Sequence, residues 1–351
     1  MMKNAIFSNR LRRRALLILL PIALLGLAAN MVSKRPETLP IGHAVNAPIG
    51  VSSDGRFVAT VDTADVSKIA LFDRWDNRVS GLRSLVMVGS IFFTPDGKTL
   101  VVGGRSMMDS VFDGVASVQL WDAQTGTLLR TIAENQMAGP AVTLSPDGRT
   151  LVTGGNGKIL FWDMASGKRL AVINGGSGSP LSLSFSADGK RLAASYMGAG
   201  GNAAMYDVAT RNQLWLVSTP RQSSPFDVIS SALSPDGQVL ALGSQNGKVA
   251  FFDARNGSFL RFGSLPAEPN ASSSSDATRY VAFSADSKLL ASGGWHGVAI
   301  WNVRDGSLRR QLAGSGGVTF FSDQMKLATG SSLDTGAAYN GQAGVRIWKS
   351  Y

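Results

Sequence analysis

The sequence contains no cysteine, which excludes disulfides, thiolate nucleophiles and thiolate metal sites at once. It has only two histidines, so imidazole bases and imidazole metal ligands are almost as scarce. Charged residues make up 17% of the 351 residues and proline occupies 13 positions, whereas hydrophobic residues reach 44% and glycine 40 positions. A chain with this balance can bury a substantial core and make many tight turns, which predicts an ordered, turn-rich fold.

The net charge of +10 is concentrated at the N-terminus. Residues 1–36 contain seven lysines and arginines and no acid, which leaves 27 basic against 24 acidic residues in the rest of the chain. Nucleic-acid binding requires clustered positive charge on the folded body, because affinity grows with the number of phosphates that are neutralised. The sequence therefore predicts no nucleic-acid partner.

The N-terminal segment, residues 1–33, has the pattern of an export or anchor signal. A basic cluster at 10–14 precedes an uninterrupted apolar run from Ala15 to Ala29. As a helix over 15–32 the segment would be about 27 Å long, close to the ~30 Å hydrocarbon core of a bilayer. The positive-inside rule then places everything after residue 33 outside the cytoplasm. We expect a periplasmic domain that is anchored to the inner membrane by this transmembrane helix.

Two features of the same segment keep another export route open. The Gly-Leu-Ala sequence at 26–28 forms a small-x-small site, so the alternative is export with the signal peptide cleaved. Paired arginines at 13–14, followed by leucines at 16–17, loosely fit a twin-arginine export signal. The expected location is extracytoplasmic in either case.

A repeating unit fills the rest of the chain and occurs seven times. Its first mark is a turn of the Ser-Pro-Asp-Gly type, in which Pro presets φ, Asp bonds a backbone N–H and Gly supplies a positive φ. The aspartates of these turns are Asp54, Asp96, Asp147, Asp188, Asp236, Asp286 and Asp323. The second mark is an aliphatic residue, an aromatic residue and usually Asp, and its aromatic residues are Phe72, Trp121, Trp162, Tyr206, Phe252, Trp301 and Trp348. Each unit predicts four short antiparallel strands, the pattern of a propeller blade.

The stretch SPDGRTLVTGGNGKILFWDMASGKRLAVI, residues 145–173, resembles a WD repeat, and the similarity extends over roughly residues 43–351. Members of that family form circular β-propellers, most often with seven blades, that serve as platforms for protein partners. The resemblance implies an all-β, seven-bladed propeller over residues 34–351 that binds proteins without catalysis. The repeats are divergent, because only Gly42-His43 matches the family's Gly-His pair, and Asn156, Asn246 and His296 lie near an expected Asp.

The four strands of a blade, labelled a to d, determine which connections share a face. Antiparallel alternation places the a–b and c–d turns on one end of the ring and the b–c and d–a connections on the other. The longest connections all belong to the second group, so that face is the candidate binding surface. Aromatic residues and methionine are enriched at interface cores, although here they could also simply cover their own loops. The candidate partner-binding residues are Met107, Met108, Phe112, Met197, Phe226, Trp295, His296 and Tyr339.

Catalytic and metal-binding groups are sparse. His43 and His296 are the only imidazole bases and lie in different loop contexts. Asp109 and Asp113 could offer oxygen ligands to calcium, but the full spacing of a calcium loop is absent. We predict no catalytic residue, no cofactor and no metal site. The open alternatives are a propeller enzyme of the lactonase or quinone-dependent dehydrogenase type, and a ligand-sensing domain.

The remaining aromatic residues and the final repeat carry two further predictions. The aromatic residues of the second mark should pack between blades, whereas Trp75, in a turn of the opposite face, is a secondary candidate for partner contact. The last repeat, GVRIWKSY at 344–351, has no fourth strand after Trp348. We predict that residues 37–42 complete this blade and close the ring, because that would satisfy an otherwise bare strand edge.

Overall fold

Short apolar runs rich in valine, isoleucine and leucine, separated by Gly, Asp and Asn turns, form the strands of this chain. The computed structural model describes residues 36–42, 44, 47–62, 65, 67–84, 86–106, 116–133, 141–174, 178–196, 202–218, 228–263, 277–294, 297–323, 326–331 and 344–349. The predicted signal or anchor segment at 1–33, with its transmembrane helix over 15–32, lies outside these residues. Within the described ranges, no helix has the length and apolar character needed to cross a membrane.

The strands are numbered in chain order. They are β1 (Glu37–Thr38), β2 (Ile49–Val51), β3 (Phe57–Val61), β4 (Lys68–Asp73), β5 (Arg78–Arg83), β6 (Val86–Phe93), β7 (Thr99–Ser106), β8 (Ala116–Asp122), β9 (Leu128–Ala133), β10 (Val142–Leu144), β11 (Thr150–Gly155), β12 (Lys158–Asp163), β13 (Arg169–Asn174) and β14 (Pro180–Phe185). They continue with β15 (Arg191–Tyr196), β16 (Asn202–Asp207), β17 (Gln213–Ser218), β18 (Val228–Leu233), β19 (Val239–Ser244), β20 (Val249–Asp253), β21 (Phe259–Phe262), β22 (Tyr280–Phe283), β23 (Leu289–Gly293), β24 (Val298–Asn302), β25 (Leu308–Leu312), β26 (Ser315–Phe320), β27 (Lys326–Ser331) and β28 (Gly344–Lys349).

The strands form seven four-stranded antiparallel sheets, one for each predicted blade. Blades 1 to 6 are β2–β5, β6–β9, β10–β13, β14–β17, β18–β21 and β22–β25, with strands a to d in sequence order. Blades 2 and 3 share a buried cluster that contains Val101 and Trp162. At the other junctions, inner strands of neighbouring blades pack together, including β2 of blade 1 with β6 of blade 2 and with β26 of blade 7. The ring is therefore closed, and the predicted seven-bladed, all-β propeller is confirmed.

Blade 7 is completed by the N-terminal end of the described chain. Strand β1 takes the outer position beside β28, with Glu37 opposite Ile347 and Thr38 opposite Arg346. The N–H of Leu39 donates to the carbonyl of Val345 at 2.8 Å and continues the ladder by one bond. The prediction that residues 37–42 complete the last blade is confirmed for residues 37–39, whereas residues 40–42 follow the end of the ladder.

The hydrophobic core lies mainly between blades. Trp121 of blade 2 belongs to one buried cluster with Phe57 and Leu82 of blade 1. Trp162 of blade 3 belongs to another with Val101 of blade 2. Because flat sheets stacked around an axis bury their faces against each other, these aromatic residues hold neighbouring blades together, as predicted.

The a–b hairpins of blades 1 to 6 are locked by side chains of their own turns. In blade 3, the hydroxyl of Ser145 donates to Oδ1 of Asp147 at 2.5 Å, and the N–H of Arg149 donates to the same oxygen at 3.0 Å. The N–H of Thr150 donates to the Ser145 hydroxyl at 2.8 Å, and Gly148 adopts a φ of 73°. These bonds recur in the hairpins of blades 1 to 6. In blade 7, Phe321 stands where the other blades have Ser or Thr.

Candidate functional site

Strand direction defines two faces of the ring. The turn face carries the tight hairpins, such as residues 52–56 and 74–77. The loop face carries the b–c and d–a connections, and its five longest connections are residues 39–48, 107–115, 219–227, 263–279 and 332–343. All five begin and end at strand ends on the same side of the propeller, because neighbouring strands in every blade are antiparallel. The predicted grouping of long connections is confirmed.

The eight predicted partner-binding residues fall in or beside the connections of the loop face. Met107, Met108, Phe112, Met197, Phe226, Trp295, His296 and Tyr339 all lie outside the described residues. The calcium-ligand candidates Asp109 and Asp113 and the imidazole of His43 lie outside them as well. Within the described part, no group of three histidine or acidic side chains is placed to hold a metal ion. The site predictions therefore stand as predictions.

A central channel runs along the inner strands and has a cavity of about 440 Å³. Its described lining is mostly apolar, with residues such as Ile91, Leu183 and Val318, and with the small polar residues Ser90, Ser182 and Ser230. One charged side chain, Arg279, lies among the described lining residues, directly before β22 at the loop-face end. The channel therefore opens at the centre of the loop face beside one basic side chain.

Tyr280 follows Arg279 and also lines the channel. Burial raises the pKa of the Tyr280 phenol well above its usual range, even though the positive charge of Arg279 opposes the shift. The phenol is therefore neutral at physiological pH and can act as a hydrogen-bond donor or acceptor, but not as a base. Of the described lining residues, none supplies a carboxylate or an imidazole to the channel.

The turn face has a regular row of ionised aspartates. The hydrogen bond from the Ser145 hydroxyl lowers the pKa of Asp147. Equivalent bonds from the hydroxyls of Thr94, Ser186 and Ser284 lower the pKa of the aspartate two positions later in their own turns. The aspartates with a pKa lowered chiefly in this way are Asp96, Asp147, Asp188 and Asp286. Because each carboxylate accepts hydrogen bonds from its own turn, these residues stabilise the hairpins and are poor candidates for ligand binding.

Trp75 stands out on the turn face because 67% of it is exposed. The guanidinium of Arg56 lies over two rings, 4.9 Å from the centroid of Trp75 and 4.7 Å from that of Phe57. Asp73 fixes this guanidinium with bonds of 3.0 and 2.7 Å, and the contact lowers the pKa of Asp73. One face of the Trp75 indole is thus held by a pre-oriented cation.

Sequence reasoning found Trp75 but missed Arg56 and Arg279. Arg56 follows a repeated turn in which other blades also have basic residues, so its stacking on two aromatic rings depends on the three-dimensional arrangement of blade 1. Arg279 follows a serine-rich loop, and only the axial position of β22 brings it to the channel. For neither residue did the sequence contain a recognisable local signal.

Known proteins resemble this chain in sequence. Residues 114–350, about two thirds of the chain, match the family model described as outer membrane protein assembly factor BamB. Protein groucho of Drosophila melanogaster is 27% identical over 252 residues, which are 67% of this chain and 31% of that protein. WD repeat-containing protein slp1 of Schizosaccharomyces pombe is 27% identical over 47% of this chain and 32% of its own length.

A third relative, Cell division cycle 20.1, cofactor of APC complex, from Arabidopsis thaliana, is 29% identical over 54% of this chain and 42% of its own length. The chain thus spans less than half of the length of each of these curated relatives. Their shared feature with it is the repeat that forms a blade, which agrees with the seven sheets described above. The chain therefore belongs to the β-propeller family whose model is described as outer membrane protein assembly factor BamB, and its blades are divergent WD repeats.

Proposed function

We propose that this chain is a non-catalytic, protein-binding platform that holds one or more partner proteins on the loop face. The observation that carries the proposal is the segregation of the five longest connections to one face of a ring whose other face has tight, self-bonded hairpins. A rigid scaffold that presents variable loops on one side is suited to binding. The relative from Arabidopsis thaliana is itself named as a cofactor of a complex, which agrees with a platform role.

The platform is extracytoplasmic and tethered to the inner membrane by the segment at 15–32, with export and cleavage as the alternative. The basic cluster and apolar run of residues 10–29 support this location. The family model adds support, because its description names an outer membrane assembly factor. Strand β1 begins only a few residues after the segment, so a retained anchor would keep the propeller close to the bilayer.

The central channel supports a role in small-ligand binding less strongly than the loop face supports the platform. A propeller enzyme needs reactive or charged groups that converge on the axis, and the described lining brings Arg279 and the neutral phenol of Tyr280. This pair can bind a small anion but supplies no general base at neutral pH. Of the two alternatives, an enzyme and a ligand-sensing domain, the lining of the channel fits the ligand-sensing domain better.

Partner capture from membranes tests the platform. The full chain, cross-linked in cells and purified, is compared with a Met107→Ala/Trp295→Ala variant of the loop face. We expect one or a few proteins to be recovered with the full chain and lost from the variant. A matched control, Lys98→Ala/Lys190→Ala on the turn face, should retain them. Equal recovery from a variant in which all eight candidate residues are alanine would refute the loop face as the binding surface.

Location is tested separately by fusing a phosphatase that is active only outside the cytoplasm to residue 351. We expect activity from the full chain and none when residues 1–33 are removed. Carbonate extraction of membranes then distinguishes the two export outcomes, since a retained anchor stays with the bilayer and a cleaved chain does not. An inactive full-length fusion would overturn the extracytoplasmic proposal without affecting the platform.

A further inference from the structure

Exposed large hydrophobic side chains are concentrated in one region of the described structure. Apart from Trp75, all of them lie on the outer d strands of blades 1 to 5. They are Val79, Leu128, Leu129, Leu170, Val172, Leu214, Leu216, Phe259 and Leu260. Single exposed apolar residues are normal on protein surfaces, but a repeated set on consecutive blades is not scattered.

Strand register shows that four of these residues occupy one structural position. In blades 2 to 6 the c–d pairing contains a bulge, and one residue of the outer strand has no partner on strand c. In blade 3, for example, Trp162 pairs with Arg169 and Phe161 with Ala171, so Leu170 is the extra residue. The extra residues of blades 2 to 5 are Leu129, Leu170, Leu214 and Leu260, which we call the leucine row.

The leucines of this row point away from the inter-blade core. Leu129, Leu170 and Leu214 are 56%, 54% and 50% exposed, whereas the residue after each one faces the next blade. Arg130 donates to the carbonyl of Ser166, and the indole of Trp215 donates to that of Ala254. The bulge thus separates two tasks, because it directs one side chain into the blade contact and the adjacent leucine outward.

Blade 6 breaks the row and provides an internal comparison. The extra residue of its bulge is Arg309 instead of leucine. A charged residue at an outer strand is the usual way in which proteins protect a sheet edge from unwanted contacts. Blades 2 to 5 keep the bulge but expose leucine, so the bulge position itself carries no protecting charge in these blades.

The charged residues of the outer strands of blades 1 to 6 are themselves all basic. The outer strands β5, β9, β13, β17, β21 and β25 contain no acidic residue. The aspartates of the adjoining turns, such as Asp163 and Asp207, are hydrogen-bonded to their own turns. The arginines of the outer strands are Arg78, Arg83, Arg130, Arg169, Arg261, Arg309 and Arg310. These outer strands therefore combine exposed leucines with basic side chains, which complements an acidic and apolar partner.

From this arrangement we infer that the leucine row is a second protein-binding surface, and that its partner is an acidic amphipathic helix. A helix fits better than an added strand, because the bulge interrupts the ladder at the exposed leucines. It lays its apolar face across blades 3 and 4, where Val172 and Leu216 are also exposed beside the leucines. A flat bilayer is a poorer match, because the outer strands of four consecutive blades face different directions around the ring, so a membrane lying against the rim of one blade does not lie against all four.

The test uses a labelled synthetic helix with leucine at helical spacing and glutamate elsewhere, and fluorescence anisotropy with the full chain in detergent. We expect saturable binding that weakens with added salt. Two comparison peptides, one of scrambled order with the same composition and one with lysine in place of glutamate, should bind at least about tenfold more weakly. Equal binding of the scrambled peptide, or no binding of the acidic helix, would overturn the inference.

Variants assign the binding to the row. Leu170→Gln/Leu214→Gln removes two exposed leucines and should weaken the acidic helix at least about tenfold without changing the thermal midpoint. Trp75→Gln removes an equally exposed apolar residue outside the row and should leave the Kd unchanged. Equal loss in both variants would show non-specific hydrophobic attachment and contradict the row. The inference would also be contradicted if the row bound phosphatidylglycerol vesicles in preference to the acidic helix.

The inference and the platform proposal can fail independently. The leucine row lies on the outer rim, whereas the platform proposal concerns the loop face. A row variant that still recovers the loop-face partner from membranes, but no longer binds the acidic helix, is the expected combination. Loss of the loop-face partner in the row variant would show that the two surfaces are one.

Discussion

The indole N–H of Trp162 donates a hydrogen bond to the hydroxyl of Thr153, 2.9 Å away in the buried interior of blade 3. Trp301 and Ser292 repeat this bond in blade 6 at 2.8 Å. Trp348 repeats it in blade 7 with the hydroxyl of Thr329, at 2.9 Å. In each blade the hydroxyl residue lies two positions after the strand-b residue that pairs with the Trp. A buried indole N–H thus has a dedicated acceptor on the neighbouring strand.

Blade 2 has the tryptophan without the acceptor. Trp121 pairs with Leu100, and the position two residues later is Val102, which cannot accept a hydrogen bond. Among the described residues, the buried Nε1 of Trp121 has no hydrogen-bond partner. We predict that Val102→Thr stabilises the fold by about 1 kcal/mol, because a near-isosteric hydroxyl would satisfy this donor. Urea unfolding followed by tryptophan fluorescence measures the change.

Blade 5 offers the matched control for that substitution. There Phe252 pairs with Leu240, and the position two residues later is the buried Leu242. Leu242→Thr would bury a hydroxyl opposite a ring with no donor, and should lower the free energy of unfolding by more than about 1 kcal/mol. If Val102→Thr and Leu242→Thr destabilised the chain equally, the acceptor explanation would be wrong.

The architecture could be predicted from the repeated residues, whereas features that depend on tertiary placement could not. Asp147 and Trp162 mark the same points of the repeat as their equivalents, so the blade number, the strand order and the location of the long connections could be predicted. The role of Glu37 and Thr38 followed from a missing strand. The leucine row could not be predicted, because Leu170 looks like an ordinary strand residue until the bulge shows that it has no partner.

The hairpin aspartates should make the fold sensitive to acid. A hydroxyl hydrogen bond lowers the pKa of Asp147 in the folded chain, and the same cause acts on Asp188. An unfolded aspartate has a pKa of about 3.9 and binds its proton first as the pH falls. The stabilisation is therefore complete above about pH 4 and is lost as the pH falls through the lower folded-state values.

Urea midpoints between about pH 6 and pH 2 measure this dependence. We expect a steep fall below about pH 4 in the full chain. Asp147→Asn/Asp188→Asn should be less stable at neutral pH and should show a shallower fall, because two of the carboxyls no longer titrate. A variant with the same slope as the parent chain would mean that other carboxyls account for the acid sensitivity.

Close backbone contact at Gly317 should make this residue essential for joining blades 7 and 1. Its N–H donates to the carbonyl of Ala47 at 2.8 Å. A Cβ at Gly317 would lie 2.6 Å from the nitrogen of Ile49 and 2.8 Å from the oxygen of Ala47, both backbone atoms that cannot rotate away. We predict that Gly317→Ala lowers the free energy of unfolding by about 2 kcal/mol.

Gly81 is the control for that substitution. It also lies on a strand, but a Cβ there would meet no atom within 4 Å. Gly81→Ala should leave the stability unchanged or raise it slightly, because alanine loses less backbone entropy on folding than glycine. Thermal unfolding of the two variants beside the parent chain is sufficient, and equal midpoints for Gly317→Ala and Gly81→Ala would contradict the close contact.

Ring closure by β1 makes Leu39 a strong determinant of stability. Its N–H donates to Val345, and its side chain is buried with Ile347 in the cluster that joins blades 7 and 1. Leu39→Pro removes the donor and the side chain, whereas Leu39→Ala removes only most of the side chain. We predict a loss of about 3 kcal/mol for Leu39→Ala and a larger loss for Leu39→Pro, measured by urea unfolding.

Because β1 is the outer strand of blade 7, the proline variant should also speed proteolysis near residue 37. If Leu39→Pro were no less stable than Leu39→Ala, the bond to Val345 would contribute nothing, and burial of the Leu39 side chain alone would close the ring.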